Sequence, residues 1–239
     1  MIYPRLMSRI HVPSEKGIRL FLMRFYLVGA LGFMLPFSYP LFVTLIPFAL
    51  LFCLGIILYY ELTANRKRKV THFLVFISVV YFVSFLIEMA GVNTGLIFGS
   101  YQYGGGLGIQ LFNTPLMIGV NWILVVLGSA GLAHRISTLL GFSETHYIDT
   151  FFRIIAASIL MILFDVVLER TAPLLEMWNW NTPRVPGRNY LAWFALSFLF
   201  QSYYVGGKIQ QRTRIASTIF LLQLLFFSLI LLYSTFLFI

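Results

Sequence analysis

Apolar residues in this chain run on for whole spans, separated by short stretches that are basic, or rich in glycine, proline and aromatics. Runs long enough to cross the hydrocarbon of a bilayer lie at Leu20–Phe37, Leu41–Tyr60, Val70–Ala90, Pro115–Ala133, Phe151–Leu168, Tyr190–Val205 and Ile215–Ile239. The pattern predicts an all-α polytopic membrane protein of about seven transmembrane helices, with residues 1–239 forming a single integral membrane domain. Pro36 and Pro40 predict a tight break between the first two spans, and Pro47 predicts a kink in the second. Thr114 as cap, with Pro115 at the first helical position, is expected to open the fourth span. Asp149 or Thr150 is expected to cap the fifth.

Composition agrees. The chain is 59% hydrophobic and 10% charged, where a soluble domain carries about 25% charged residues. Its mean hydropathy is +0.87. Too little polar surface exists to cover a water-facing globule. The first nineteen residues carry too many charges for the apolar core of a signal peptide. The single cysteine, Cys53, lies in an apolar run and reads as buried filler, which excludes an intrachain disulfide. His11, His72, His134 and His146 are scattered, so no metal site is expected.

The net charge of +9 changes the picture only through its distribution. Basic residues flank apolar spans instead of forming one stripe with aromatics, so nucleic acid is not the expected partner. With the N-terminus in the cytoplasm, Arg5, Arg9, Lys16, Arg19, Arg24, Arg66, Lys67, Arg68, Lys69, Arg135, Arg153, Lys208, Arg212 and Arg214 fall on one side. Only Arg170, Arg184 and Arg188 fall on the other. This lopsided division predicts an N-terminus inside and a C-terminus outside. Tyr59, Tyr203 and Tyr204 are expected to be anchors at the membrane boundary.

Against this background three acids stand out. Glu88 lies near the outer end of the third span, while Asp165 and Glu169, four residues apart, share a face of the fifth at its outer end. A charge in hydrocarbon costs about 2.5–3.5 kcal/mol on insertion scales, and folding alone gives no reason to bear it repeatedly at one level. Two outer loops, Gly91–Thr114 and Glu169–Asn189, are too long for simple turns and are expected to fold back and roof a pocket. They carry Tyr101, Tyr103, Trp178, Trp180 and Asn189, with Asn121 about two turns into the fourth span and Trp193 in the sixth. A blander alternative makes Glu169 a solvated loop acid facing Arg170 or Arg184. Gly104-Gly105-Gly106 lacks the lysine and helix of a phosphate loop, and reads as conformational freedom.

Two blocks of residues resemble a known family. One runs from Glu88-Met89-Ala90-Gly91-Val92-Asn93-Thr94-Gly95 through Phe98-Gly99-Ser100-Tyr101-Gln102-Tyr103 and Leu107-Gly108 to Pro115 and Asn121-Trp122. The other comprises Asp165, Trp178-Asn179-Trp180 and Pro186-Gly187-Arg188-Asn189-Tyr190-Leu191-Ala192-Trp193. Together they resemble the membrane-bound carotenoid hydratases, which include the lycopene and gamma-carotene 1,2-hydratases and the bisanhydrobacterioruberin hydratases. The resemblance covers about Val70–Trp193, and departs from the family where Glu169-Arg170 replaces an acid followed by proline.

What the resemblance implies is hydration of the terminal 1,2 double bond of an acyclic carotenoid end, without a redox cofactor. Protonation of the alkene gives a tertiary cation that water captures, so one carboxyl acts as acid and another as base. Asp165 is the expected acid, Glu88 its partner and Glu169 a third catalytic carboxyl, with the Asp165 and Glu88 roles open to reversal. Asn121 and Asn189 are expected to orient water. Tyr101, Tyr103, Trp178, Trp180 and Trp193 are expected to face the substrate. The expected partners are a long polyene, the lipid bilayer and other enzymes of the carotenoid pathway, in the cytoplasmic (inner) membrane. Two rivals remain: an isoprenoid cyclase, which also begins by protonating an alkene, and a small transporter or lipid-binding protein using the same acids.

Overall fold

A computed structural model describes residues 14–64, 67–142, 147–209 and 213–237. Among the described residues seven long helices follow one another. They are α1 (Glu15–Met34), α2 (Tyr39–Ala64), α3 (Lys67–Thr94), α4 (Met117–Leu139), α5 (Tyr147–Thr171), α6 (Gly187–Gly206) and α7 (Ile215–Leu237). Six are long and apolar enough to cross a membrane; α6, which carries Arg188, Asn189 and Gln201, is the exception. The protein is a multi-pass membrane protein with an all-α body. Arg5, Arg9, Arg66, Arg212, His11 and His146 lie outside the described residues.

α4 is buried on every side from Ile118 to Ala130, the behaviour of a helix enclosed by others. Gly128 lets α7 approach closely: a Cβ there would sit 2.4 Å from Phe220 Cβ. The outer helices turn large apolar side chains such as Phe48, Phe82 and Leu232 outward, where lipid is the natural solvent. Cys53 is buried and meets the Tyr26 hydroxyl at 3.2 Å.

Several local expectations need correction. α4 starts at Met117, because Thr114 and Pro115 belong to a hairpin instead of a cap. β2 (Gln110–Leu111) pairs antiparallel with β3 (Thr114–Pro115) through a turn at Phe112 and Asn113, whose φ angles are 50° and 61°. Two successive left-handed residues are what a tight two-residue hairpin requires. The Thr114 hydroxyl donates to the Phe112 carbonyl and so is not a helix cap. α5 starts at Tyr147, which puts Asp149 inside the first turn. There it accepts from the Ser137 hydroxyl of α4 and pairs with Arg153 at 3.6 Å. Pro47 lies inside α2, where the sequence placed it. Tyr204 is buried against Phe76 instead of sitting at the boundary, while Tyr59 and Tyr203 stay partly exposed.

The helix ends sort into two groups. At one end the Tyr39 hydroxyl of α2 donates to the Leu174 carbonyl beyond α5. At the other, Thr213, before α7, donates its N–H and hydroxyl to Glu61 near the end of α2. The first end carries the roof described next.

Candidate active site

The alternation of Tyr101-Gln102-Tyr103 and of Trp178-Asn179-Trp180 is that of a strand with one buried face. β1 (Tyr101–Tyr103) and β4 (Trp178–Trp180) pair antiparallel, with Tyr101 opposite Trp180 and Tyr103 opposite Trp178. Successive side chains of a strand point to opposite faces, so the four aromatic rings face inward and Gln102 and Asn179 face out. Beyond the ladder the two loops stay joined: Asn181 N–H donates to the Ser100 carbonyl, Gly104 to Met177 and Gly106 to Glu176. Here the glycine run is explained by space. A Cβ on Gly104 would lie 2.3 Å from the Glu176 carbonyl oxygen, and one on Gly106 2.3 Å from that of Leu175.

Beneath this roof lie the three acids, 4%, 0% and 4% exposed for Glu88, Asp165 and Glu169. Glu88, on α3, is held by donors from two directions. Tyr101 and Tyr103 donate their hydroxyls to its Oε2 at 2.7 and 2.8 Å, and Trp122 of α4 donates its indole N–H to Oε1 at 3.0 Å. Glu169 is treated alike: Trp178 and Trp180 donate to Oε2 at 3.0 and 2.5 Å. The Asn189 amide, on α6, donates to Glu169 Oε1 at 3.1 Å and to Asp165 Oδ2 at 3.0 Å, joining the two acids of α5. Asp165 Oδ1 is buried without a partner. Burial first, and the adjacent Glu88 second, push the Tyr101 and Tyr103 hydroxyls above the ordinary phenol range, so both remain donors.

Glu88 and Glu169 wall one small cavity of about 20 Å³. Tyr101, Tyr103, Trp178 and Trp180 cover it, Asn189 contributes an amide, and Phe98, Ile118 and Trp193 complete the apolar side. Such a volume holds about one water molecule, and the polar atoms around it supply the partners water needs. Trp193 stacks on Trp122 with ring centroids 4.1 Å apart.

Eight residues singled out from the sequence therefore line the cavity: Glu88, Glu169, Tyr101, Tyr103, Trp178, Trp180, Asn189 and Trp193. Asp165 sits behind Asn189, one residue back from the wall. Asn121 is buried on α4, but it neither lines the cavity nor donates to any of the three carboxyls. Its neighbour Trp122 reaches Glu88 instead. One step along a helix turns a side chain by about 100°, and an indole N–H inside an apolar span must find an acceptor. That need was the signal available in the sequence. Glu169 is not a solvated loop acid; its three partners are the two tryptophans and Asn189. Among the described residues no group of His, Cys, Asp and Glu could hold a metal ion.

A helical bundle with three buried carboxyls under an aromatic roof defines the class: a multi-pass membrane protein with a buried polar site. Residues 42–239 match the family described as carotenoid biosynthesis protein, and the chain belongs to that family. No curated protein and no solved structure matches it. The family and the membrane bundle are consistent with a lipophilic substrate of the carotenoid type.

Proposed function

We propose that this protein adds water across the terminal 1,2 double bond of an acyclic carotenoid end group. The observation that carries the reading is the water-sized space between Glu88 and Glu169 under four aromatic rings. It brings together the three things the reaction needs: room for a water nucleophile, a proton acceptor and a cage for a cation.

Protonation at C2 of the alkene produces a tertiary cation at C1. Asp165 is the donor in this scheme: its Oδ1 is engaged by no other group, and it meets the alkene once the entering tip has displaced the side chains between it and the cavity. The cation forms against Trp178, Trp180, Tyr101 and Tyr103, whose ring faces stabilise positive charge. Water in the cavity adds to C1 and passes a proton to Glu88. Tyr101, Tyr103 and Trp122 all donate to that carboxyl and fix its orientation. Return of a proton from Glu88 to Asp165 restores the starting state. Glu169 and Asn189 hold the water and couple the two sides.

The cavity is too small for the isoprenoid tip. In this reading the tip enters by displacing the apolar wall of Phe98, Ile118 and Trp193, while the polyene stays in lipid. The basic residues favour placing the roof on the outer face of the cytoplasmic membrane.

Hydration is preferred to cyclisation because a built place for water would be a hazard to a cyclase, whose cation must be shielded from it. The test is expression in a host that accumulates lycopene, with pigments analysed by mass spectrometry. A gain of one water supports hydration; an unchanged mass with shifted absorption would establish cyclisation instead.

A further inference from the structure

The end of the bundle away from the roof contains a second polar cluster that the proposed chemistry does not use. Arg214, immediately before α7, donates its backbone N–H to Glu15 Oε1 at 2.9 Å. Arg19 lies one turn from Glu15 on α1, on the same helical face. Arg135 reaches this level from α4. The contact of Gly128 with Ala216 and Phe220 fixes the register of α4 against α7. Seven residues further along α4, about 10 Å at 1.5 Å per residue, Arg135 lies beyond the start of α7, on the side of Arg214. It lies within electrostatic reach of Arg214, Arg19 and Glu15.

Three arginines, from α1, from α4 and from just before α7, thus gather near Glu15, which the Arg214 backbone N–H engages. Two of their nitrogens, Arg19 Nε and Arg135 Nη2, are buried without a hydrogen-bond partner. A buried donor left unmade is destabilising, and like charges held together add to that. Both features disappear if an anion sits between them. The N-terminus of the 23-residue α7 adds its dipole to the same spot. The cluster lies near the ends of the apolar spans α1, α4 and α7. Basic pockets between transmembrane helices take phosphate headgroups in this way, and guanidinium forks match phosphate oxygens bidentately.

We propose that Arg19, Arg135 and Arg214 form a phosphate-binding site occupied by the headgroup of an anionic phospholipid. The proposal is independent of the hydration chemistry: it concerns the opposite end of the bundle and its test requires no turnover.

The experiment is native mass spectrometry of the full chain released from detergent, titrated with phosphatidylglycerol or phosphatidylcholine. One phosphatidylglycerol per chain should be retained at least tenfold more tightly than phosphatidylcholine. Replacing Arg19→Gln and Arg135→Gln together should abolish that preference. Lys208→Gln, an exposed basic residue at the same end, should change it less than twofold. The headgroup comparison on the unmodified protein keeps the test valid if the double variant fails to fold. Displacement of the lipid by millimolar inorganic phosphate would keep the phosphate site and assign it to a soluble donor. Equal retention of both lipids, or an unchanged preference in a folded double variant, overturns the proposal.

Discussion

Replacing Asp165 by asparagine separates chemistry from folding more cleanly than any other change at this site. The side chain keeps its shape, and its carbonyl oxygen can still accept from the Asn189 amide, which now stands 3.0 Å from Oδ2. The new NH2 group occupies the position of Oδ1, which has no partner to lose. The structural penalty is therefore at most one unmade buried donor, about 1–3 kcal/mol. The protonated acid of the proposed scheme already presents an O–H at Oδ1 without a partner, so the exchange for an N–H changes little. Folded yield and thermal midpoint should stay close to those of the unmodified protein. An amide cannot deliver the proton, so the loss should be that of a general acid, about 10²–10⁴-fold, or about 2.7–5.4 kcal/mol of barrier. The assay is turnover of an acyclic carotenoid by detergent-purified protein, followed by chromatography, with size exclusion and a melting curve on the same sample. Turnover within tenfold of the unmodified enzyme in a folded Asp165→Asn variant would remove Asp165 from the mechanism.

The other expectations are narrower. Glu88→Gln presents an NH2 group either to the Trp122 indole N–H or to the two tyrosine hydroxyls, so it should lower stability by about 1–3 kcal/mol and abolish turnover; a melting curve and the same assay read both. Trp180→Phe removes one donor to Glu169 and should cost about 1.5–3 kcal/mol, the range for a hydrogen bond to a charged group, seen as a lowered melting temperature with the Trp178 bond intact. Gly104→Val drives a Cβ to within 2.3 Å of the Glu176 carbonyl, so it should unzip β1 from β4, raising protease cleavage in residues 100–112 while helix content by circular dichroism stays constant. For Tyr101 and Tyr103 the folded-state pKa lies above the unfolded value of about 10; their contribution to stability is then fully present below pH 10 and declines as pH rises beyond it, and ultraviolet titration should find them among the last phenols to ionise.

Much of this arrangement could be read from the chain because the bilayer imposes few choices. Spans had to be long and apolar, so the order of the long helices followed from hydropathy, although α6 falls short of a span by composition, and acids in them were conspicuous by their cost. The helix ends were harder. Thr114 and Pro115 carry the local chemistry of a helix start, yet pairing with Gln110 and Leu111 claims them for a hairpin. Asp149 resembles a cap, but a partner on another helix holds it. The roof's strand pairing was written in Tyr101-Gln102-Tyr103 and Trp178-Asn179-Trp180, two period-two runs of matching length, although nothing local says that loops 75 residues apart in sequence should meet. Trp122 was missed for the same reason. Which face of a helix buried on all sides turns to the acid is decided by its neighbours, not by its own pattern.

The most direct test of the central claim is turnover of an acyclic carotenoid by purified protein in ¹⁸O-labelled water. The account expects a product heavier by one water, with the label in a hydroxyl at the end group and no added oxidant or reductant. A product of unchanged mass, or a hydroxyl carrying oxygen from any source but solvent, would contradict it.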